Sequence, residues 1–218
     1  MSEKGKAASV IRILNNEFPD PQPPLNFASP FEALVAVILS AQCTDERVNK
    51  VTPNLFAAAH TPKEMISLGP KKLRELIHSC GYYNQKAKAI LAFSQEILDR
   101  HNGDVPNTLE ELNALSGVGR KTASVVVSQT FGVPSFPVDT HVFRVANRLG
   151  LVQETNRDKT DLALRKKIPR DHWISLHLQF IFHGRKTCKS QKPQCWECPL
   201  KEICEYKGKT TKPASYLR

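Results

Sequence analysis

The sequence predicts an all-α fold on three observations. Apolar residues recur at three- and four-residue spacing along most of the chain, and no stretch sustains the apolar–polar alternation of a half-buried strand. A capping residue or a proline stands at the head of segment after segment, as at Ser29-Pro30 and Thr61-Pro62, where a helix takes its cap and tolerates proline. The clearest unit, Leu109 to Phe131, is two helix-like runs joined by Ser116-Gly117-Val118-Gly119.

Taken in order, Lys6 to Phe18 places Val10, Ile11, Leu14 and Phe18 on one helical face. The proline-rich run 19–24 then reads as a linker. Ser29-Pro30 opens a helix over Phe31 to Ala41 that is apolar almost all round, which predicts a central core position. Thr44 or Asp45 caps the next helix, which Pro53 is expected to interrupt or end. Thr61-Pro62 and Pro70 each start a short helix, the second ending near Gly81. Asn84 to His101 is amphipathic through Ala87, Ile90, Phe93 and Ile97, and the run 102–106 stops it. After the 109–131 hairpin come helices over Asp139 to Leu149, Asp158 to Ile168 and His172 to His183. The basic tail, Lys207 to Arg218, is expected to be mobile.

Composition narrows the function. The formal net charge is +10, which suits a polyanionic partner such as nucleic acid, although many basic proteins bind nothing specific. The longest apolar run, Ala33 to Leu39, is far short of the roughly 20 residues of a membrane span. The N-terminus shows no apolar block followed by a cleavage site. These features predict an intracellular protein that is neither secreted nor bound to membrane, and the expectation for it is a cytoplasmic, nucleoid-associated monomer. Cys43 and Cys80 stand apart, whereas Cys188, Cys195, Cys198 and Cys204 crowd together. In a reducing compartment that points to metal, either zinc or an iron–sulfur cluster.

The hairpin has two readings. Glycine-rich turns at helix N-termini present unpaired N–H groups to phosphate oxygens, so Gly117, Val118 and Gly119 are candidate DNA contacts. An ordinary corner between helices uses glycine as well. Lys121 then sits in the first turn of the second helix, where the dipole disfavours a cation. It is either a solvated surface lysine or an amine placed there for chemistry.

Beyond the hairpin, Asp139 fits an N-cap of its helix. Arg144 on that helix could meet a phosphate or form a structural ion pair. Lys189 and Lys192 in the cysteine loop are solvated charges or backbone contacts. Tyr82 and Tyr83 either pack at a helix start or stack on bases.

LSGVGRKTA, VDTHVFRV from Val138, SAQCTD around Gln42 and the Cys-x6-Cys-x2-Cys-x5-Cys spacing together resemble the endonuclease III family of DNA glycosylases with AP lyase activity. The resemblance runs from about Leu25 to Tyr206. It implies two helical lobes: a bundle over 27–132 carrying the helix-hairpin-helix, and a second lobe of 1–26 with 133–218 carrying a [4Fe–4S] cluster on loop 188–204. The active-site cleft would lie between them.

The resemblance also implies Lys121 as nucleophile and Asp139 as the carboxylate that assists it. The amine must be neutral to attack, and the helix N-terminus, partial desolvation and Arg120 all work against a positive charge. Cys188, Cys195, Cys198 and Cys204 would be the cluster ligands. Gln42 would fill the gap left by an extruded base, and Tyr82 would wedge the duplex.

The implied reaction removes oxidised pyrimidines from double-stranded DNA and then cleaves the abasic site by β-elimination. A monofunctional mispair glycosylase and a non-catalytic iron–sulfur DNA sensor are the competing readings, and neither has a use for Lys121 with Asp139. Three positions depart from the family pattern: Tyr82 for leucine, Ser116 for proline, which should relax the turn, and Asn113 for an acidic residue.

Overall fold

A computed structural model describes residues 3–213, and among them every regular element is helical. In chain order these are α1 (Glu3–Glu17), α2 (Pro30–Ser40), α3 (Asp45–Ala58), α4 (Pro62–Ile77), α5 (Tyr83–His101), α6 (Leu109–Ala114), α7 (Arg120–Phe131), α8 (Thr140–Leu149), α9 (Arg157–Lys167) and α10 (Trp173–Lys186), with short 3-10 turns such as His78–Cys80. The all-α expectation holds.

The helix starts follow from capping chemistry. Ser29, Thr44, Thr61, Thr108 and Asn156 each accept a backbone N–H of the first turn. At Thr61 the bond is reciprocal, because the Glu64 carboxylate reaches back to the Thr61 amide.

Two expectations about breaks part ways. Gly69, at φ 77°, interrupts α4 ahead of Pro70. Pro53 does not end its helix: α3 runs through it to Ala58. Proline removes one N–H, but Val48, Val51 and Leu55 on one face are buried in the core and hold the helix across the gap.

The chain forms two compact units, one of Pro23–Ser135 and one of the described residues in 1–22 and 136–218. In the first, α2 is buried from Phe31 to Leu39 and packs on α3, α5 and α7. Phe31 meets Phe93 of α5 edge-on, with ring centroids 6.2 Å apart. A helix apolar on every side can be satisfied only at such a centre.

In the second unit α1 packs on α9 and α10, and its Val10 and Leu14 share a core with Val142, Val145 and Phe180. Lys6 fastens α1 further: its ammonium donates to the Leu149 carbonyl at 3.0 Å and pairs with Glu205. Residues 214–218 of the basic tail lie outside the described region. Lys207 to Pro213 are described, and within them Thr210 Oγ1 accepts the Cys195 amide and donates to the Pro193 carbonyl, which ties this stretch to the cysteine loop.

Leu14 is fully buried. Leu14→Ala should therefore lower unfolding free energy by about 3 kcal/mol in denaturant titrations followed by far-UV dichroism. A loss below about 1 kcal/mol would mean that α1 is not packed as described.

Candidate active site and nucleic-acid interface

The hairpin is built by α6, the turn 115–119 and α7. Leu112, Leu115, Val118 and Ala123 are buried in the core of their unit and fix the two helices against each other. Val118 is thereby a packing residue, and its N–H donates to the Leu115 carbonyl at 3.0 Å. The two glycines differ in kind. Gly117 has φ 76°, and a Cβ there would lie 2.5 Å from Ala89 Cβ of α5, so both backbone and packing require glycine. Gly119 has φ −77°, and a Cβ there would meet nothing within 4 Å. The fold does not need glycine at 119, which leaves open backbone facing outward.

Gly119 is the N-cap of α7 and offers no side-chain acceptor, so the first-turn N–H groups are not capped by it. Lys121 lies in that turn with its side chain exposed. The desolvation expected for its amine is not supplied by the protein alone.

The Ser116 departure does not loosen the turn. Its amide donates to Glu96 Oε2 at 2.8 Å and its hydroxyl to Oε1 at 2.5 Å. A proline could make neither bond. Partial burial works against the charged carboxylate, but the Ser116 bonds outweigh it and hold Glu96 below its ordinary value.

Gln42 and Tyr82 share a pocket of the same unit with Ala89, Gly117 and Thr122. Tyr83 packs on His78 with ring centroids 4.5 Å apart, whereas Tyr82 is 60% exposed. Only four non-glycine residues among those described have positive φ: Gln42 at 51°, Tyr82 at 48°, Lys192 at 47° and Asn102. Asn102 is an ordinary left-handed C-cap of α5. The other three are all sequence-derived DNA-contact candidates. Left-handed backbone in such residues is a strain that survives where its surroundings over-determine it, commonly at functional sites.

Asp139 is the N-cap of α8, and its Oδ1 accepts both the His141 and Val142 amides at 2.8 Å. Both bonds fall on one oxygen, which leaves Oδ2 outside the cap and the carboxylate rigidly aimed. Arg144 is held by backbone carbonyls and a histidine. It donates to the carbonyls of Cys188 and Gly184 at 3.0 Å and meets His141 Nδ1 at 3.1 Å. Arg148, one turn later, was missed in the sequence. It donates to Lys189 O at 2.7 Å, Ser190 O at 3.0 Å and Cys188 Sγ at 3.5 Å, and lies 4.3 Å from the Tyr206 ring centroid. An i,i+4 pair of arginines on α8 was the available signal. Lys189 and Lys192 are exposed.

Cys188, Cys195, Cys198 and Cys204 line one cavity together with Arg148 and His183. Among the described residues no three cysteine, histidine or acidic side chains converge closely enough for a single ion. Four thiols spread around one cavity suit a polynuclear cluster better than zinc. Burial pushes the Cys198 thiol up to about 11 and raises Cys204. Such thiols become thiolates readily only when a metal centre supplies the compensating charge. Burial also takes His183 down to about 4, so it meets the cavity as a neutral ring.

Residues 35–170 match the family described as HhH-GPD superfamily base excision DNA repair protein, and residues 188–204 match the iron-sulfur binding domain of endonuclease III. The chain is 43% identical over 206 residues to endonuclease III of Haemophilus influenzae, covering 94% of this chain and 98% of that one. The same figures hold for endonuclease III of Escherichia coli strain K12. The chain belongs to the endonuclease III family. A solved structure described as a trapped endonuclease III–DNA covalent intermediate superposes with a TM-score of 0.88 at 44% identity, covering 94% of this chain and 96% of that one. The family's resident [4Fe–4S] cluster therefore belongs to this chain too, and the donor set of loop 188–204 fits it.

The glycine contrast predicts opposite phenotypes. Gly117→Ala should destabilise by about 2–4 kcal/mol in thermal or denaturant melts. Gly119→Ser should leave stability within about 0.5 kcal/mol, since serine caps well, yet weaken duplex-DNA affinity roughly tenfold in fluorescence anisotropy. Unchanged affinity would remove Gly119 from the interface.

Proposed function

We propose that the chain is a bifunctional base-excision enzyme that removes oxidised pyrimidines from duplex DNA and then cleaves the resulting abasic site. The DNA glycosylase class follows from the family. The bifunctional reading rests on one observation: an exposed lysine in the uncapped first turn of α7, beside a glycine that packing does not require. A relative 44% identical is described as a trapped covalent intermediate with DNA, and an amine nucleophile is a group that forms such a bond.

The turn around Gly119 holds a backbone phosphate through the open N–H groups of α7, which brings the sugar of an extruded nucleotide to Lys121. The neutral Lys121 amine attacks C1′, the C1′–N bond breaks and the damaged base leaves with the bonding pair. Asp139, kept rigid by its cap bonds, stabilises positive charge on the sugar and accepts the proton that the amine gives up. Loss of the ring oxygen from C1′ leaves an iminium joining Lys121 to the opened sugar. Removal of a C2′ proton then expels the 3′ phosphate, and water releases the lysine. Gln42 and Tyr82 occupy the duplex where the base was lost. The +10 charge draws the polyanion in. Action on chromosomal DNA would place the protein at the nucleoid.

We assign Cys188, Cys195, Cys198 and Cys204 as the cluster ligands. The cluster, when bound, supplies the cross-links that hold loop 188–204. Arg144 and Arg148 bind the carbonyls of that loop and keep Lys189 and Lys192 presented to phosphates.

Incubation with an abasic or thymine-glycol duplex followed by borohydride should give a covalent protein–DNA adduct, and Lys121→Gln should abolish it. Free base without an adduct would favour a monofunctional glycosylase, and binding without either product a sensor. Iron and sulfide analysis should find about four of each per chain. Cys198→Ser should lose that iron and melt earlier, and full iron retention in that variant would overturn the ligand assignment; a colourless zinc protein would reverse the choice of metal.

A further inference from the structure

Lys86 is a buried cation that the proposed reaction does not use. It is 5% exposed, and its ammonium donates to the Leu39 and Cys80 carbonyls, both at 2.8 Å. Its own amide donates to the Tyr82 carbonyl at 3.0 Å. Leu39 lies in the last turn of α2, three residues before Gln42, and Cys80 lies two residues before Tyr82. One side chain thus joins the roots of the two loops that carry left-handed Gln42 and Tyr82, and it lines the same pocket.

Stability alone does not call for lysine here. Lys86 sits in the first turn of α5, where the dipole disfavours a cation, and burial works further against its charge. An apolar side chain of similar volume avoids that desolvation, and replacing buried charge in this way is often neutral or stabilising. What the ammonium gives uniquely is two directed bonds across a gap, one to the negative end of α2 and one to the 3-10 turn before Tyr82. Those bonds tie the end of α2 that precedes Gln42 to the turn that precedes Tyr82.

We infer that Lys86 is a positioning residue for lesion probing, clamping the Gln42 loop to the Tyr82 loop so that both side chains enter the duplex in register. The inference rests on the reading that Gln42 and Tyr82 contact DNA. Lys86 itself touches neither the sugar nor the base.

The test uses cluster-loaded protein of verified iron content and compares two reactions. Single-turnover excision of thymine glycol from a duplex requires extrusion and gap filling. Borohydride trapping on a single-stranded abasic oligonucleotide requires neither. Lys86→Met should slow the duplex reaction roughly tenfold while leaving single-strand trapping within about twofold, and Gln42→Ala should add little to that loss. Where Lys86→Met does not fold, Lys86→Arg carries the same comparison, because it keeps the charge but changes the geometry to both carbonyls. Equal losses in the two reactions, or losses additive with Gln42→Ala, would make Lys86 merely structural and overturn the inference. If Gln42→Ala and Tyr82→Ala alone leave duplex excision unchanged, the DNA-contact reading fails and takes the inference with it. If they impair it and Lys86→Met does not, the inference alone fails.

Discussion

The contact between Gly117 and Ala89 governs the geometry of the hairpin. A Cβ at 117 would lie only 2.5 Å from that of Ala89, so α5 passes the turn closer than any other residue type would allow. That approach directs the loop outward and leaves Gly119 as a bare N-cap with open space around it. The Glu96 carboxylate secures the turn from the α5 side by taking both Ser116 donors. Uncapped N–H groups, an unobstructed glycine and an exposed Lys121 together make the end of α7 suited to a phosphate and a sugar.

A second pattern is the use of helix ends against their usual electrostatics. Lys121 and Lys86 both stand in first turns, where a cation is disfavoured. Lys86 resolves the conflict by reaching carbonyls at another helix's C-terminal end. Lys121 is exposed, and the proposed mechanism has it meet the substrate sugar instead. Arg144 and Arg148 gather carbonyls of α10 and the cysteine loop, those of Gly184, Cys188, Lys189 and Ser190, as Lys86 gathers those of Leu39 and Cys80.

Much of this was legible in the sequence because the signals are local. Helix starts at Ser29, Thr61 and Asp139 follow from cap residues within four positions, and the hairpin and cysteine spacing are contiguous motifs. Contacts that depend on distant residues were not legible. The fold requirement at Gly117 comes from Ala89, and the tightening at Ser116 comes from Glu96. Continuation of α3 through Pro53 depends on apolar neighbours outweighing one lost hydrogen bond. Arg144 read as a phosphate contact or an ion pair because its carbonyl partners lie some forty residues away. Lys86 carried the same mark that singled out Lys121, a cation at a helix start, but its two partners come from other parts of the chain.

The proposed mechanism turns on one amine, that of Lys121, bonding to the sugar. The direct measurement is to trap the protein on an abasic duplex with borohydride, digest protein and DNA, and locate the modified residue by tandem mass spectrometry. The sugar remnant is expected on Lys121. A remnant on Lys86, on a loop lysine such as Lys189, or on the N-terminal amine would contradict it.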